Sequence, residues 1–170
     1  MSRYIKENYF VLIADDSADD RMLLKAAMRA TGHLQCVGEV SDGAETIAYL
    51  KGHDGFGDRE KYPMPDLLLL DLRMPVKDGF EVLKWLGTRR LRQLLTVVVL
   101  TSSMESEDIK RALDLGADLF QVKPRSHRDR QTMVLALEEY VANSTLASVR
   151  SMSGRLAGIS TLEVQLARVP

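Results

Sequence analysis

PDLLLLDLRMPVKDG, residues 65–79, is the stretch whose reading decides the fold. Leu67, Leu68, Leu69 and Leu70 form an unbroken apolar run, without the polar alternation of a strand that has one face in water. A strand covered on both faces by helices has this composition. Asp71 ends the run. Asp78 then precedes Gly79, Phe80 and Glu81, where its side chain can accept from the unpaired first N–H groups of a helix and Glu81 suits the helix dipole. One stretch therefore supplies a buried strand, an acid at its carboxyl end and a capped helix.

The same grammar repeats outward in both directions. Short apolar runs at 9–14, 35–40, 66–70, 96–100 and 118–122 alternate with segments at 18–31, 43–51, 79–89, 106–115 and 128–143, in which apolar residues recur three and four apart. In the last segment Met133, Leu137 and Tyr140 share a face with Val134 and Val141, as packing of one helix flank on a sheet requires. Ser17 is placed to cap the first helix, with Asp19 and Asp20 in its first turn, and Gly116 to stop the fourth. Five βα units joined by right-handed crossovers give a doubly wound α/β sandwich with a parallel sheet, whose ligands sit beyond the carboxyl ends of the strands.

Composition removes several function classes. With 170 residues the chain holds one domain and a short surplus, and 23 basic residues against 24 acidic ones give no general pull toward nucleic acid or anionic membrane. The basic stretch RSHRDR, residues 125–130, lacks the aromatics of a nucleic-acid surface. A single cysteine, Cys36, excludes an intrachain disulfide or a Cys-rich zinc site and reads as an inert thiol in a buried strand. The apolar start of the chain runs into Asp15 and Asp16 too soon for a signal peptide, and no run approaches a membrane span. A cytoplasmic protein without a membrane partner is the expectation. His33, His53 and His127 lack ligand spacing, and GHDGFGDRE, residues 52–60, reads as a flexible surface loop.

The strand ends carry the chemistry. Asp15 and Asp16 follow the first run, Asp71 the third, Thr101 and Ser102 the fourth, Lys123 and Pro124 the fifth. Three converging carboxylates resist joint ionisation unless a cation joins them, and Mg²⁺, which takes few carboxylates and leaves room for phosphate oxygens, is the natural one. A carboxylate beside Mg²⁺ and a lysine can attack phosphorus, while the ammonium and a hydroxyl stabilise the equatorial oxygens.

VLIADDSADDR, LLLLDLRMPVKDG, VVVLTSS and LGADLFQVKP together closely resemble the signature segments of response-regulator receiver domains of two-component signalling. The resemblance implies a flavodoxin-like (βα)5 fold with strand order 2-1-3-4-5. It implies Asp71 as phosphoacceptor, Asp15 and Asp16 as the acidic pair with Asp16 the direct metal ligand, and the backbone carbonyl of Arg73 as a further ligand to Mg²⁺. It makes Thr101 the switch hydroxyl, Phe120 the switch aromatic, and Lys123 the amine, followed by Pro124 in a cis bond. Arg73 and Ser103 fall at the two variable positions that tune phosphoryl lifetime in the family. A long segment before the third strand makes the chain most similar to stand-alone regulators paired with bacterial phytochrome-type histidine kinases.

The implied organisation is a lead-in over 1–8, a receiver over 9–143 and an extension over 144–170. In the extension Leu146, Val149, Met152, Leu156, Ile159, Leu162, Leu166 and Val169 keep helical spacing, fitting a helix docked on its own receiver or on a second copy in a homodimer. The implied partners are a histidine kinase or phosphotransfer protein and a downstream protein, with output through protein contact. Two rival readings stay open. One is a constitutive interaction module indifferent to phosphorylation. The other is a metal-dependent phosphatase with a covalent aspartyl phosphate, against which stands Arg73 where such enzymes place a second acid.

Overall fold

A computed structural model describes residues 7–102 and 104–152, with side chains to residue 144. Five strands, β1 (Tyr9–Ala14), β2 (Leu34–Val40), β3 (Leu67–Leu70), β4 (Thr96–Thr101) and β5 (Leu119–Val122), alternate with α1 (Ala18–Thr31), α2 (Gly43–Lys51), α3 (Gly79–Gly87), α4 (Ser106–Asp114) and α5 (His127–Met152). All paired strands are parallel, in the order β2-β1-β3-β4-β5. This is the order and fold class expected from the sequence.

Alternation along each strand divides the core between the two faces of the sheet. Val11, Ile13, Leu67, Leu69, Val98 and Leu100 pack with Leu24 and Met28 of α1 and Val134 and Leu137 of α5. Leu12, Leu68, Leu70, Val97 and Val99 pack with Tyr49 of α2, Phe80 and Leu83 of α3 and Ala112 of α4. Over the central strands β1, β3 and β4 neither face is left to water, which is why those runs read as continuously apolar, whereas edge strand β2 exposes Gln35 and Glu39.

The helix signals hold in detail. Ser17 accepts from Asp20 N–H at the start of α1, and Asp78 with Glu81 forms a complete capping box on α3. Gly116, at φ +96°, follows the end of α4 in the left-handed conformation that glycine adopts without strain. Two boundaries differ from expectation by more than one residue. α3 ends at Gly87, where the Thr88 hydroxyl donates to the Trp85 carbonyl, and a 3₁₀ turn at Arg90–Gln93 follows. Arg92 in that turn donates to the carbonyls of Gly116 and Leu95, so the turn is tied to the α4–β5 connection. α5 continues to Met152, past the expected limit of the receiver at Asn143; the rest of the extension, like Ser103, lies outside the described residues.

The segment between α2 and β3 is also built differently from the flexible loop expected. Phe56 stacks 5.1 Å from both Tyr49 and Tyr62, ring centre to ring centre. Arg59 donates to the carbonyls of Tyr49, Leu50 and Tyr62, closing the carboxyl end of α2. Cys36 is half-buried in β2, its thiol donating to the Gly38 carbonyl, and burial pushes its pKa up. The raised pKa fits an inert thiol, but β2 is an edge strand with Gln35 and Glu39 exposed and not the buried strand expected.

Candidate functional site

Register brings the strand-end residues together. The β1–β3, β1–β2 and β4–β5 ladders continue one step past the strands: Asp71 N–H donates to the Ala14 carbonyl at 2.9 Å, Asp15 N–H to the Val40 carbonyl at 3.1 Å, and Lys123 N–H to the Thr101 carbonyl at 2.9 Å. Residues that each follow an apolar run in sequence thus become neighbours across the sheet's carboxyl edge.

Lys123 is the hub. Its Nζ donates to Asp15 Oδ2 at 2.7 Å, Asp71 Oδ2 at 2.8 Å and Asp20 Oδ2 at 2.9 Å. An ammonium has three N–H bonds, so all three are committed. Burial by itself pulls the Lys123 pKa down, but hydrogen bonds to Asp15, Asp71 and Asp20 outweigh it and the net direction is up. The lysine stays charged throughout the neutral range.

Asp15 is 2% exposed, Asp71 is buried beside it, and Asp16 faces solvent. Asp15 Oδ1 accepts from Ser17 N–H at 2.9 Å, and Asp71 Oδ1 from Arg73 N–H at 3.2 Å. Burial raises the Asp15 pKa even though Lys123 and Ser17 N–H pull it down. One ammonium therefore leaves the buried acids short of positive charge. Asp15, Asp16 and Asp71 can each turn one oxygen to within 4.8 Å of the others. An all-oxygen set with one solvent-facing member suits a hard divalent ion that keeps part of its water.

The remaining expected residues fall around this centre. Thr101 is fully buried as the last residue of β4. Phe120 on β5 is half-buried against the α2–α3–α4 layer. The Lys123–Pro124 bond is trans, correcting the expected cis isomer; a prolyl bond prefers trans by about 0.5–1 kcal/mol, and Lys123 reaches its carboxylates from it. The Pro124 carbonyl accepts from Arg130 Nη2 at 3.1 Å. Arg130 is itself buried and Ser126 caps Asp129 N–H at the start of α5, so part of RSHRDR is structural.

Asp20 is the site residue that sequence reasoning missed. It reads as a dipole-compensating acid of a first turn, yet its carboxylate is on Lys123. The available signal was position: a helix that begins at the carboxyl edge of the sheet carries its first-turn side chains beside the crevice. Arg21, one residue on, donates from Nη1 to the Asp15 carbonyl at 2.6 Å and faces Glu39 at 3.4 Å, fixing the backbone that bears the acidic pair. Gly79 closes the other side. A Cβ there would stand 2.4 Å from the Asp71 carbonyl oxygen, so only glycine lets α3 start this close to Asp71.

Comparison with known proteins gives the chain its relatives. The profile of the response regulator receiver domain matches residues 11–155. Response regulator Rcp1 of Synechocystis is 31% identical over 130 residues, covering 76% of this chain and 86% of its own. Its Mn²⁺-bound crystal structure superposes with a TM-score of 0.66 at 29% identity, over 78% of this chain and 93% of that one. The phosphorylated cyanobacterial phytochrome response regulator RcpA matches with a TM-score of 0.69 at 30% identity, over 78% and 93% of the two chains. RPA3017, a response regulator in red light signalling of R. palustris, gives 0.68 at 32%, over 78% and 90%. Among the described residues no helix is long and apolar enough to cross a membrane.

Proposed function

The chain belongs to the response regulator receiver domain family, and from that premise we propose that it accepts a phosphoryl group on Asp71 from a histidine kinase or phosphotransfer protein and signals through phosphorylation-dependent protein contact. The observation that carries the reading is Lys123 Nζ at 2.8 Å from Asp71 Oδ2, beside acids able to bring three oxygens together. In this reading an Asp71 oxygen attacks the phosphorus of a phosphohistidine. The new O–P bond forms as the P–N bond breaks, and its electron pair returns to the imidazole.

Each neighbour has a part. Asp15, Asp16, Asp71 and the Arg73 carbonyl would hold Mg²⁺, which when bound offsets the charge of the phosphoryl oxygens. Lys123 turns one N–H from Asp71 toward a phosphoryl oxygen and keeps another on Asp20. Thr101 supplies a hydroxyl at the end of β4, and Phe120 and Pro124 lie on the route from there to the α4–β5–α5 face.

The test is phosphorylation by acetyl phosphate with Mg²⁺, followed by intact mass. The wild-type chain should gain one acid-stable, alkali-labile phosphoryl group and Asp71→Asn none. Partner binding that ignores Asp71→Ala would instead favour the constitutive module. A chain that gains no adduct and turns over small phosphate esters would favour the phosphatase.

A further inference from the structure

Away from the crevice, α2 and α3 bring positive charge together at the opposite edge of the sheet. Lys51 ends α2, and its Nζ lies 5.7 Å from the ring centre of Trp85 on α3; the Arg89 guanidinium, just past the end of α3, lies 5.4 Å from the same ring. Lys84 and Arg90 flank this group in sequence, and all four cations are exposed. Among the described residues none of the four has a carboxylate partner, whereas Arg92 beyond them is committed to Asp118 and to the Gly116 and Leu95 carbonyls. Glu81, one turn before Trp85, is turned to Lys77 and to the Asp78 N–H, and no Asp or Glu occurs between Glu81 and Glu105. Exposed charge that serves only solubility is mixed in sign. Cations gathered round one ring repel each other, and an anion brought among them relieves that repulsion while each keeps its ring contact.

We propose that this face of α2 and α3 is a docking surface for an acidic segment of a partner protein, centred on Lys51, Trp85 and Arg89. The chemistry favours a peptide over a nucleic acid. Lys51 and Arg89 stand over the Trp85 ring, so no bare aromatic face is offered to a base. The near-neutral balance of the chain supplies no long-range pull on a polyanion, whereas single carboxylates on a peptide can meet the cations one by one at short range. Position gives the surface a role of its own. Both helices start at the carboxyl edge of the sheet, where Asp71 lies, and run to the other edge, so a partner held at their ends leaves the crevice open. Docking here is separate from phosphorylation and does not depend on Asp71 being the phosphoacceptor.

The experiment titrates the full chain, at low salt, into a dye-labelled synthetic peptide of repeating Glu-Glu-Leu-Glu and reads affinity from the anisotropy of the dye. Trp85 is the single tryptophan of the chain, so its emission reports whether the peptide sits on this surface. Wild type should bind with a change in that emission, and Lys51→Ala combined with Arg89→Ala should weaken binding about tenfold or more. Lys51→Arg combined with Arg89→Lys, which keeps the charge, should stay within about threefold of wild type, separating loss of charge from loss of packing. Binding should weaken as salt is raised, and Asp71→Asn should change it by less than about twofold. No rise in anisotropy, binding without a response from Trp85, or equal affinity of wild type and the alanine pair overturns the inference. Tighter binding of an oligothymidylate or of phosphatidylglycerol vesicles than of the peptide, lost in the same alanine pair, assigns the surface to nucleic acid or to membrane and overturns it as well.

Discussion

The two helices that border the acidic crevice, α1 and α4, are built on opposite plans. α1 is closed at both ends, by Ser17 at its start and by the Gly32 N–H on the Met28 carbonyl at 3.0 Å, and it buries Leu24, Ala27 and Met28. α4 has no side-chain cap bond at Glu105 and leaves Leu113 43% exposed. Its buried anchors are Ala112 and Asp108, the latter ion-paired with Arg73. The site therefore has a fixed wall carrying Asp20 and Arg21 and a lightly seated wall carrying Asp108. A signalling domain needs both, because acids must be held in place while something nearby remains free to respond.

The largest expected effect tests that contrast directly. Leu24→Ala empties part of the packing under α1 and should cost about 2–5 kcal/mol, while Leu113→Ala on α4 should stay within about 0.5 kcal/mol of wild type. Urea denaturation of both variants decides it. Comparable losses would mean that α4 is as firmly seated as α1.

The core under α2, at the other end of the sheet from α4, is firm, and alkaline pH should show this. Tyr49 is fully buried, its hydroxyl within 3.1 Å of the Val37 and Pro63 carbonyls, and burial pushes its pKa up to about 12. The unfolded chain releases this proton near 10. Between the two values the folded state binds a proton that the unfolded state has lost. The contribution is therefore intact below pH 10 and disappears as pH rises toward 12, a loss of about 2–3 kcal/mol. Tyr49→Phe should remove that share of the pH dependence relative to wild type, measured as stability at pH 9 and pH 11.

The cap on the fixed wall ranks next. Ser17→Ala removes the acceptor for Asp20 N–H and should cost about 1 kcal/mol. Asp20 also holds Lys123, so the fraying should reach the site: amide exchange should quicken in the first turn of α1, with α4 unchanged. Faster exchange in α4 as well would show that the two walls open together.

What the sequence made legible follows from geometry that strand ends enforce. Asp15, Asp71 and Lys123 each follow an apolar run, and parallel register leaves them nowhere else to be. Asp16 and Thr101 are placed by the same rule. The pairings that were not legible join residues whose partners depend on the tertiary fold: Arg73 with Asp108, 35 residues apart, and Lys123 with Asp20, 103 apart. Arg59 closing α2 belongs to the same class, since long basic side chains reach carbonyls that no spacing rule identifies. Local propensity also could not show that Arg92 would fold a 3₁₀ turn against the α4–β5 connection.

The smallest effect lies in the loop between the two walls. Val76 sits at φ +62° and is 80% exposed. A β-branched residue in the left-handed region is strained, and this one has little packing to set against the strain. Asparagine tolerates the conformation, so Val76→Asn should raise stability by about 0.5–1 kcal/mol. The gain should appear as a higher urea midpoint with an unchanged slope, since little apolar surface is involved. A lower midpoint would mean that the Val76 side chain supports the loop that carries Asp71 and Arg73. The fixed wall would then extend further around the site than α1.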